Sequence, residues 1–143
     1  MRFLFDTDVV SILQWKSGDA YSRLIARISS LPMDDFAISI VTFHEQTIGA
    51  HTYIQAARTG ADLERGYRML LNALARFSRS QVVLYDATTE GIFRQLRKQR
   101  VRIGTMDLRI AATALQYNLT LLTRNTTDFS KVPGLSFEDW TTP

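Results

Sequence analysis

The chain has 143 residues, 45% of them hydrophobic and 22% charged, and its 17 basic residues outnumber 14 acidic ones for a formal net charge of +3. These proportions are typical of one globular domain with a hydrophobic core, which excludes a wholly disordered chain. The absence of cysteine excludes disulfides, thiolate metal sites and a cysteine nucleophile. No apolar run reaches the roughly 18–20 residues that cross a bilayer, and no signal-peptide pattern opens the chain, so we expect a cytoplasmic protein with no membrane contact.

Short apolar segments alternate with amphipathic ones along the chain. In order, we predict a strand at 2–5, a helix capped by Asp6 or Thr7, a helix at 19–30, a strand at 36–40, helices at 42–58 and 61–79, a strand at 81–85, helices at 88–99 and 105–117, and strands at 120–123 and 135–137. This alternation predicts an α/β fold in which a parallel, twisted, five-stranded sheet carries helices on both faces. We expect a single domain over residues 1–143.

Three local patterns give more detailed expectations. The spacing of Thr42 and Glu45 predicts a capping box that opens the helix at 42–58. We expect both tryptophans, Trp15 and Trp140, to be buried. The helix at 61–79 has apolar residues at helical spacing, which we expect to be its core stripe: Leu63, Tyr67, Leu70, Leu71, Leu74 and Phe77.

Four acidic residues fall close to the ends of predicted strands. Asp6 ends the first strand, Glu45 lies in the first turn of the helix after the second, and Asp128 follows the fourth. Asp107 lies in the first turn of the helix before the fourth strand. Ligands of open α/β sheets bind outside the carboxyl ends of the strands, so we expect these side chains to share one crevice.

Carboxylates that share a crevice repel one another, and a divalent cation compensates for that repulsion. Ligands that are all oxygen favour Mg²⁺ or Mn²⁺, and Mg²⁺ is usually completed by water and substrate phosphate. The pattern therefore predicts phosphodiester or phosphoryl chemistry. The alternative is that each acid is a helix cap, since the helix dipole favours acids in first turns. The metal hypothesis depends on all four meeting at one edge.

The basic residues are concentrated in one part of the chain. Residues 58–102 contain ten basic and four acidic residues, a local charge of +6, whereas the remainder carries −3. Arginine binds phosphate through two parallel hydrogen bonds, so this segment suits nucleic acid, although a solvated helix face would look the same. The candidate phosphate-binding residues are Arg94, Arg97, Lys98, Arg100 and Arg102.

Five segments, in order and at fitting distances, carry a family resemblance that covers the whole chain: Leu-Phe-Asp-Thr-Asp at 4–8, Ser-Ile-Val-Thr-Phe-His-Glu at 39–45, and the segments 103–114, 122–129 and 132–140. Together they resemble a PIN domain, and specifically a VapC-type ribonuclease toxin of a type II toxin–antitoxin system. The resemblance implies a Mg²⁺- or Mn²⁺-dependent endoribonuclease that cleaves single-stranded RNA. It also implies a cognate VapB-like antitoxin and a homodimer, or a larger toxin–antitoxin assembly.

The resemblance also assigns roles to residues. Asp6, Glu45, Asp107 and Asp128 match the family's acidic site, and Asp6 and Asp107 match its most direct metal ligands. Supporting roles fall to Thr123 and Asn125, which we expect to hydrogen-bond these carboxylates or the scissile phosphate, and to Asp8, which stands where the family commonly has Asn.

Two other functions remain open at this point. One is a PIN-like nuclease of RNA processing without a toxin role, and the other is a non-catalytic RNA- or protein-binding module. The intact acidic set disfavours the binding module, which has no need to bind Mg²⁺. Toxicity on expression would separate the first alternative from a toxin.

Overall fold

The computed structural model describes residues 1–143 as a five-stranded sheet surrounded by seven α-helices. In chain order the elements are β1 (Phe3–Phe5), α1 (Thr7–Trp15), α2 (Asp19–Ile28), β2 (Phe36–Ser39), α3 (Ile40–Ala56), α4 (Gly60–Ser78), β3 (Val82–Val83), α5 (Ala87–Lys98), α6 (Thr105–Gln116), β4 (Thr120–Leu122), α7 (Thr126–Phe129) and β5 (Phe137–Glu138). All strand pairs are parallel, in the order β3-β2-β1-β4-β5. The predicted α/β fold is confirmed.

The sheet separates two hydrophobic cores, because successive side chains of a strand point to opposite faces. Leu4, Ala37 and Leu121 belong to the core that α5 and α6 cover. Their strand neighbours on the other face pack with α1, α2, the end of α4 and the buried Trp140; they are Phe3, Phe5, Phe36, Ile38 and Leu122. Because both faces are covered, the carboxyl edge of the sheet is the place where polar side chains can reach solvent.

Helix α6 is embedded in the first core. Ala111, Ala112 and Ala114 are all fully buried, and alanine both favours the helix and permits close approach to the sheet. The first turn of α6, which follows Gly104, is less buried: Thr105 is exposed, and Met106 and Asp107 are partly exposed. The helix thus fixes the position of Asp107, its third residue.

The prediction for α4 was wrong about which face is buried. Four of the six expected core residues are 42–63% exposed: Leu63, Tyr67, Leu71 and Leu74. Phe77 is buried as expected, but the other buried positions are Gly66 and Ala73, which the prediction did not include. A Cβ at Gly66 would lie 2.5 Å from Cγ1 of Ile54 on α3, so α4 approaches α3 through its small residues. Helical spacing identified an apolar stripe but not the face that a neighbouring helix selects.

One further local expectation was wrong, a second was only half right because Trp140 is buried and Trp15 is not, and one helix was not predicted. Ser39, not Thr42, caps α3, and its Oγ accepts a hydrogen bond from the amide of Val41 at 3.0 Å. Trp15 is 73% exposed, since it lies in the last turn of α1 beyond the edge of the core. The short helix α7 was not predicted at all.

None of the helices is both long enough and apolar enough to serve as a membrane span.

Candidate active site

Asp6 stands at the centre of the carboxyl edge, directly after β1. Its Oδ1 accepts a hydrogen bond from the amide of Thr7 at 2.8 Å, and its Oδ2 accepts one from Oγ1 of Thr123 at 2.7 Å. Thr123 follows β4, the strand beside β1, so the strand order brings it to Asp6 across 117 positions of sequence. Asp6 is therefore both the cap of α1 and a buried carboxylate, only 4% exposed.

The environment of Asp6 opposes its ionisation. Burial and then the neighbouring charge of Asp8 raise the pKa of Asp6 from 3.8 to about 7, with a smaller contribution from Asp107. The hydrogen bonds from Thr123 and Thr7 act in the opposite direction and favour the charged form. A cation placed beside Asp6 would remove the cost of this burial.

Asp8 contributes a buried oxygen that has no partner in the protein. Its Oδ2 accepts a hydrogen bond from the amide of Arg124 at 3.0 Å, whereas Oδ1 is the single buried side-chain nitrogen or oxygen of the chain without a hydrogen bond. Burial raises the pKa of Asp8. An unsatisfied buried acceptor is costly and calls for a ligand, a cation or a water molecule.

Asp107 feels the charge of three other acids of the edge. Burial raises its pKa first, followed by the charges of Glu45, Asp128 and Asp8. Gly104 lies beneath the carboxylate, and a Cβ there would stand 3.7 Å from Oδ2 of Asp107. The structure thus places Asp107 in the same crevice as the other acids, although its helix precedes β4 rather than following a strand.

Glu45 lies in the second turn of α3, not in the first as expected, because α3 already begins at Ile40. Its Oε1 accepts a hydrogen bond from Oγ1 of Thr7 at 2.7 Å, and that hydroxyl also lies 3.2 Å from Oγ1 of the buried Thr42. Helix capping therefore does not explain Glu45. Sequence reasoning missed Thr7 as the residue that fixes Glu45, because it considered Thr7 only as a cap.

The residues after β4 form a hydrogen-bonded chain that ends on Asp128. The backbone amide of Asn125 donates to Oγ1 of Thr123 at 2.9 Å, and its side-chain Nδ2 donates to Oδ2 of Asp128 at 3.0 Å. Lys131 reaches the other oxygen of Asp128 at 3.3 Å. These two partners lower the pKa of Asp128, so this carboxylate is ionised and positioned at the rim of the crevice.

The side chains fit a hard divalent cation held by few protein ligands. As they stand, no three histidine, aspartate or glutamate side chains form a ready ligand set. Mg²⁺, however, is usually bound through one or two carboxylates, with water and substrate phosphate completing its sphere. The unpartnered Oδ1 of Asp8 and the raised pKa values of Asp6 and Asp107 are the features that a cation would satisfy.

The predicted phosphate-binding residues lie on α5 and on the loop that leads to α6. All five are exposed and none forms an ion pair: Arg94, Arg97, Lys98, Arg100 and Arg102. Arg97 donates to Oγ1 of Thr105 at 3.2 Å, two residues before Asp107. The other four make no side-chain hydrogen bond, and none of the five contacts the acids of the edge. Arg109, two residues after Asp107, turns towards Met106 and the ring of Phe93.

Comparison with known proteins gives one family. The model of the PIN domain family matches residues 3–135. Ribonuclease VapC1 of Haemophilus influenzae is 26% identical over 99% of each chain, and the tRNA(fMet)-specific endonuclease VapC of Shigella flexneri is 29% identical over 98% of each. Among solved structures, a DNA-bound VapBC complex of Salmonella typhimurium contains a chain that superimposes with a TM-score of 0.74 at 24% identity, covering 98% of both chains. At that identity the superposition shows the fold alone.

Proposed function

Because this chain belongs to the PIN domain family, we propose that it is a divalent-metal-dependent endoribonuclease that cleaves single-stranded RNA and acts as the toxin of a VapBC-type toxin–antitoxin pair. Relatives that align over nearly the whole chain are named ribonuclease and tRNA-specific endonuclease VapC. Solved structures of the same fold are VapBC complexes, which supports a VapB-like antitoxin as partner. A cytoplasmic location and a homodimer are part of the same proposal.

The observation that carries the proposal is the electrostatic coupling of the acids at the carboxyl edge. In addition to burial, the charges of Asp8 and Asp107 raise the pKa of Asp6, and the charges of Glu45, Asp128 and Asp8 raise the pKa of Asp107. In a module that binds no cation, the repulsion and burial of these carboxylates would lower the stability of the fold, and nothing would compensate for it. We therefore favour a nuclease over a non-catalytic module.

Asp6 and Asp107 are the residues that we assign to a bound Mg²⁺ or Mn²⁺, with the free oxygen of Asp8 beside them. When bound, such an ion lowers the pKa of a water molecule and stabilises negative charge on the phosphate in the transition state. We assign the orientation of the attacking water to Glu45, which Thr7 hydrogen-bonds, and to Asp128, which Asn125 hydrogen-bonds. Thr123 keeps Asp6 oriented and favours its ionised form.

The test is cleavage of single-stranded RNA by the purified protein, with Mg²⁺ or with EDTA. We expect fragments only with Mg²⁺, and we expect Asp6→Asn to remove them. Asp19→Asn is the matched control, because Asp19 is an exposed acid in the first turn of α2 that makes no side-chain hydrogen bond. Cleavage in EDTA, or cleavage by Asp6→Asn at the wild-type rate, would contradict the proposal.

The toxin role needs a separate measurement. Expression of the wild-type chain should arrest growth, whereas Asp6→Asn at equal protein level should not. RNA cleavage without growth arrest would favour an RNA-processing nuclease, the alternative that shares the same active site.

A further inference from the structure

A polar cavity of about 350 Å³ opens beside the hydrogen bond between Thr7 and Glu45. Its walls come from α1, α3 and α4, and only two of its ten lining residues are hydrophobic. The cavity therefore adjoins the acidic edge but lies on the side of the sheet opposite to α5 and α6. It is away from the predicted phosphate-binding residues of α5 and the loop after it. Because the lining is so polar, the cavity is poorly suited to bind the apolar face of a partner helix.

Arg76 of α4 is the positively charged residue that lines this cavity. It belongs to the basic segment 58–102 but is not one of the five predicted phosphate-binding residues. Its guanidinium is half-buried and forms no ion pair with any carboxylate of the chain. The side chain makes one hydrogen bond, from Nη1 to Oε1 of Gln46 at 3.2 Å. Burial lowers the pKa of the guanidinium. Most of its five N–H donors are therefore directed at no protein acceptor, which suits an oxyanion such as phosphate.

Side-chain amides surround this guanidinium. Gln46 accepts hydrogen bonds from both Gln14, at 2.9 Å, and Arg76, so α1, α3 and α4 hold one another in register here. The Nε2 of Gln46 and the whole side chain of Asn72 make no hydrogen bond within the protein. Free amide donors and acceptors of this kind pair with the edges of unstacked RNA bases.

We propose that this cavity is a nucleotide-binding subsite for single-stranded RNA, in which Arg76 binds a phosphate adjacent to the scissile one and the amides of Gln46 and Asn72 hydrogen-bond the attached base. This inference rests on the proposed ribonuclease function and specifies where its substrate lies. The RNA strand would enter over Thr7 and Glu45 and reach the acidic edge directly. Arg76 would thus select and position the strand rather than take part in bond cleavage.

The first test compares Arg76→Met with Arg68→Met. Arg68 lies on the same helix, but it is exposed and is paired with Glu64 at 2.7 Å. Binding of a short fluorescent oligoribonucleotide is followed by anisotropy in EDTA at several salt concentrations. We expect Arg76→Met to bind about 10-fold more weakly and to lower the slope of log K against log salt by about 0.7, the contribution of one phosphate on a single strand. Arg68→Met should change neither quantity.

A second test locates the phosphate. Single neutral methylphosphonates are introduced one at a time on either side of the cleaved bond. One position should weaken binding to the wild type and to Arg68→Met but not to Arg76→Met, because the contact is already lost there. Equal sensitivity of Arg76→Met at every position would overturn the proposal.

A third variant tests the subsite without disturbing the helix contacts. Asn72 is exposed and makes no internal hydrogen bond, so Asn72→Ala should fold normally. We expect its KM for RNA cleavage to rise several-fold while kcat is retained, and an unchanged KM would overturn the base contact.

If Arg76→Met weakened only the binding of the cognate antitoxin, the cavity would bind a protein instead of RNA, and the proposal would be wrong. Absence of Mg²⁺-dependent cleavage by the wild type would sink the nuclease function instead, which the binding assay in EDTA distinguishes.

Discussion

The acids at the carboxyl edge of the sheet are buried or partly buried and act on one another, whereas the basic residues of α5 and the loop after it are separately exposed to solvent. Asp6 is 4% exposed and its pKa is raised to about 7, while Arg94, Lys98 and Arg100 are all exposed and unpaired. Exposed charges are screened by salt over about 8–10 Å, and buried charges are screened far less. The acidic edge is therefore suited to bind an ion with defined geometry, and the basic segment to attract a polyanion without fixing it.

The largest expected effect comes from Asp107→Asn, which removes one of the proposed metal ligands. We expect cleavage to fall at least about 100-fold, because stabilisation by a bound metal ion amounts to several kcal/mol. The heat of Mg²⁺ binding in calorimetry should disappear as well. Asp19→Asn serves as the control, and retention of Mg²⁺ binding by Asp107→Asn would show that the acidic edge does not hold the ion in the way proposed.

A smaller effect is expected from Thr123→Val, which preserves shape but removes the hydroxyl that donates to Asp6. Residues that orient a metal ligand typically contribute 10–100-fold to metal affinity, so we expect a loss of about that size for Mg²⁺. The pKa of Asp6 should rise further, because the hydrogen bond from Thr123 lowers it. Thr113→Val is the matched control, since Thr113 is equally buried but donates to the carbonyl of Arg109. Equal Mg²⁺ affinity in the two variants would contradict the role of Thr123.

The pH dependence of stability gives a third test, performed without metal. The pKa of Asp6 is 3.8 for the free side chain and about 7 in the fold, so between these values the native state holds more protons than the unfolded state. The free energy of unfolding should therefore fall as the pH rises from about 4 to 7. Saturating Mg²⁺ should reduce this fall, because the ion binds the ionised carboxylate.

Urea unfolding at a series of pH values measures this fall. Asp6→Asn should reduce it, and the part that remains comes from Asp8 and Asp107, whose pKa values burial also raises. Asp86 and Asp128 have lowered pKa values, so their ionisation makes the free energy of unfolding rise with pH. This opposite effect is confined to pH values below about 4. A metal-free protein that becomes more stable between pH 4 and 7 would contradict the buried, coupled state of Asp6.

The smallest effect is expected in the basic segment. Arg94→Met should weaken RNA binding only a few-fold at physiological salt and lower the salt slope by about 0.7, with Mg²⁺ affinity unchanged. Arg2→Met is a suitable control, because Arg2 precedes β1 at the opposite edge of the sheet and is paired with Asp35 at 3.2 Å. A change in Mg²⁺ affinity in Arg94→Met would show that the two regions are coupled more closely than their separation suggests.

Much of the fold was readable from the sequence because its signals are local. Strand and helix bounds agree within a few residues, and the chain order of the elements predicted the parallel sheet. The four acids were identified from their positions at strand ends and helix starts, which depend on nothing beyond neighbouring residues. Their roles as metal ligands stay a prediction until the Mg²⁺ experiments are done.

What the sequence could not supply is the partner that each side chain meets. The leucines of α4 have helical spacing, yet α3 packs against Gly66 instead. Thr7 meets Glu45 across 38 positions, and Arg76 meets Gln46 across 30.

By itself, then, the sequence determined that this is an α/β chain with carboxylates at strand ends and arginines grouped in one segment. The tertiary structure alone decided that Oδ1 of Asp8 is left without a partner, that Thr7 holds Glu45, and that Arg76 lines a polar cavity beside them. The physical reason is that periodicity and capping are fixed by residues a few positions apart. Burial and hydrogen bonding depend instead on strand order and on which helix faces approach, and only the folded chain sets these.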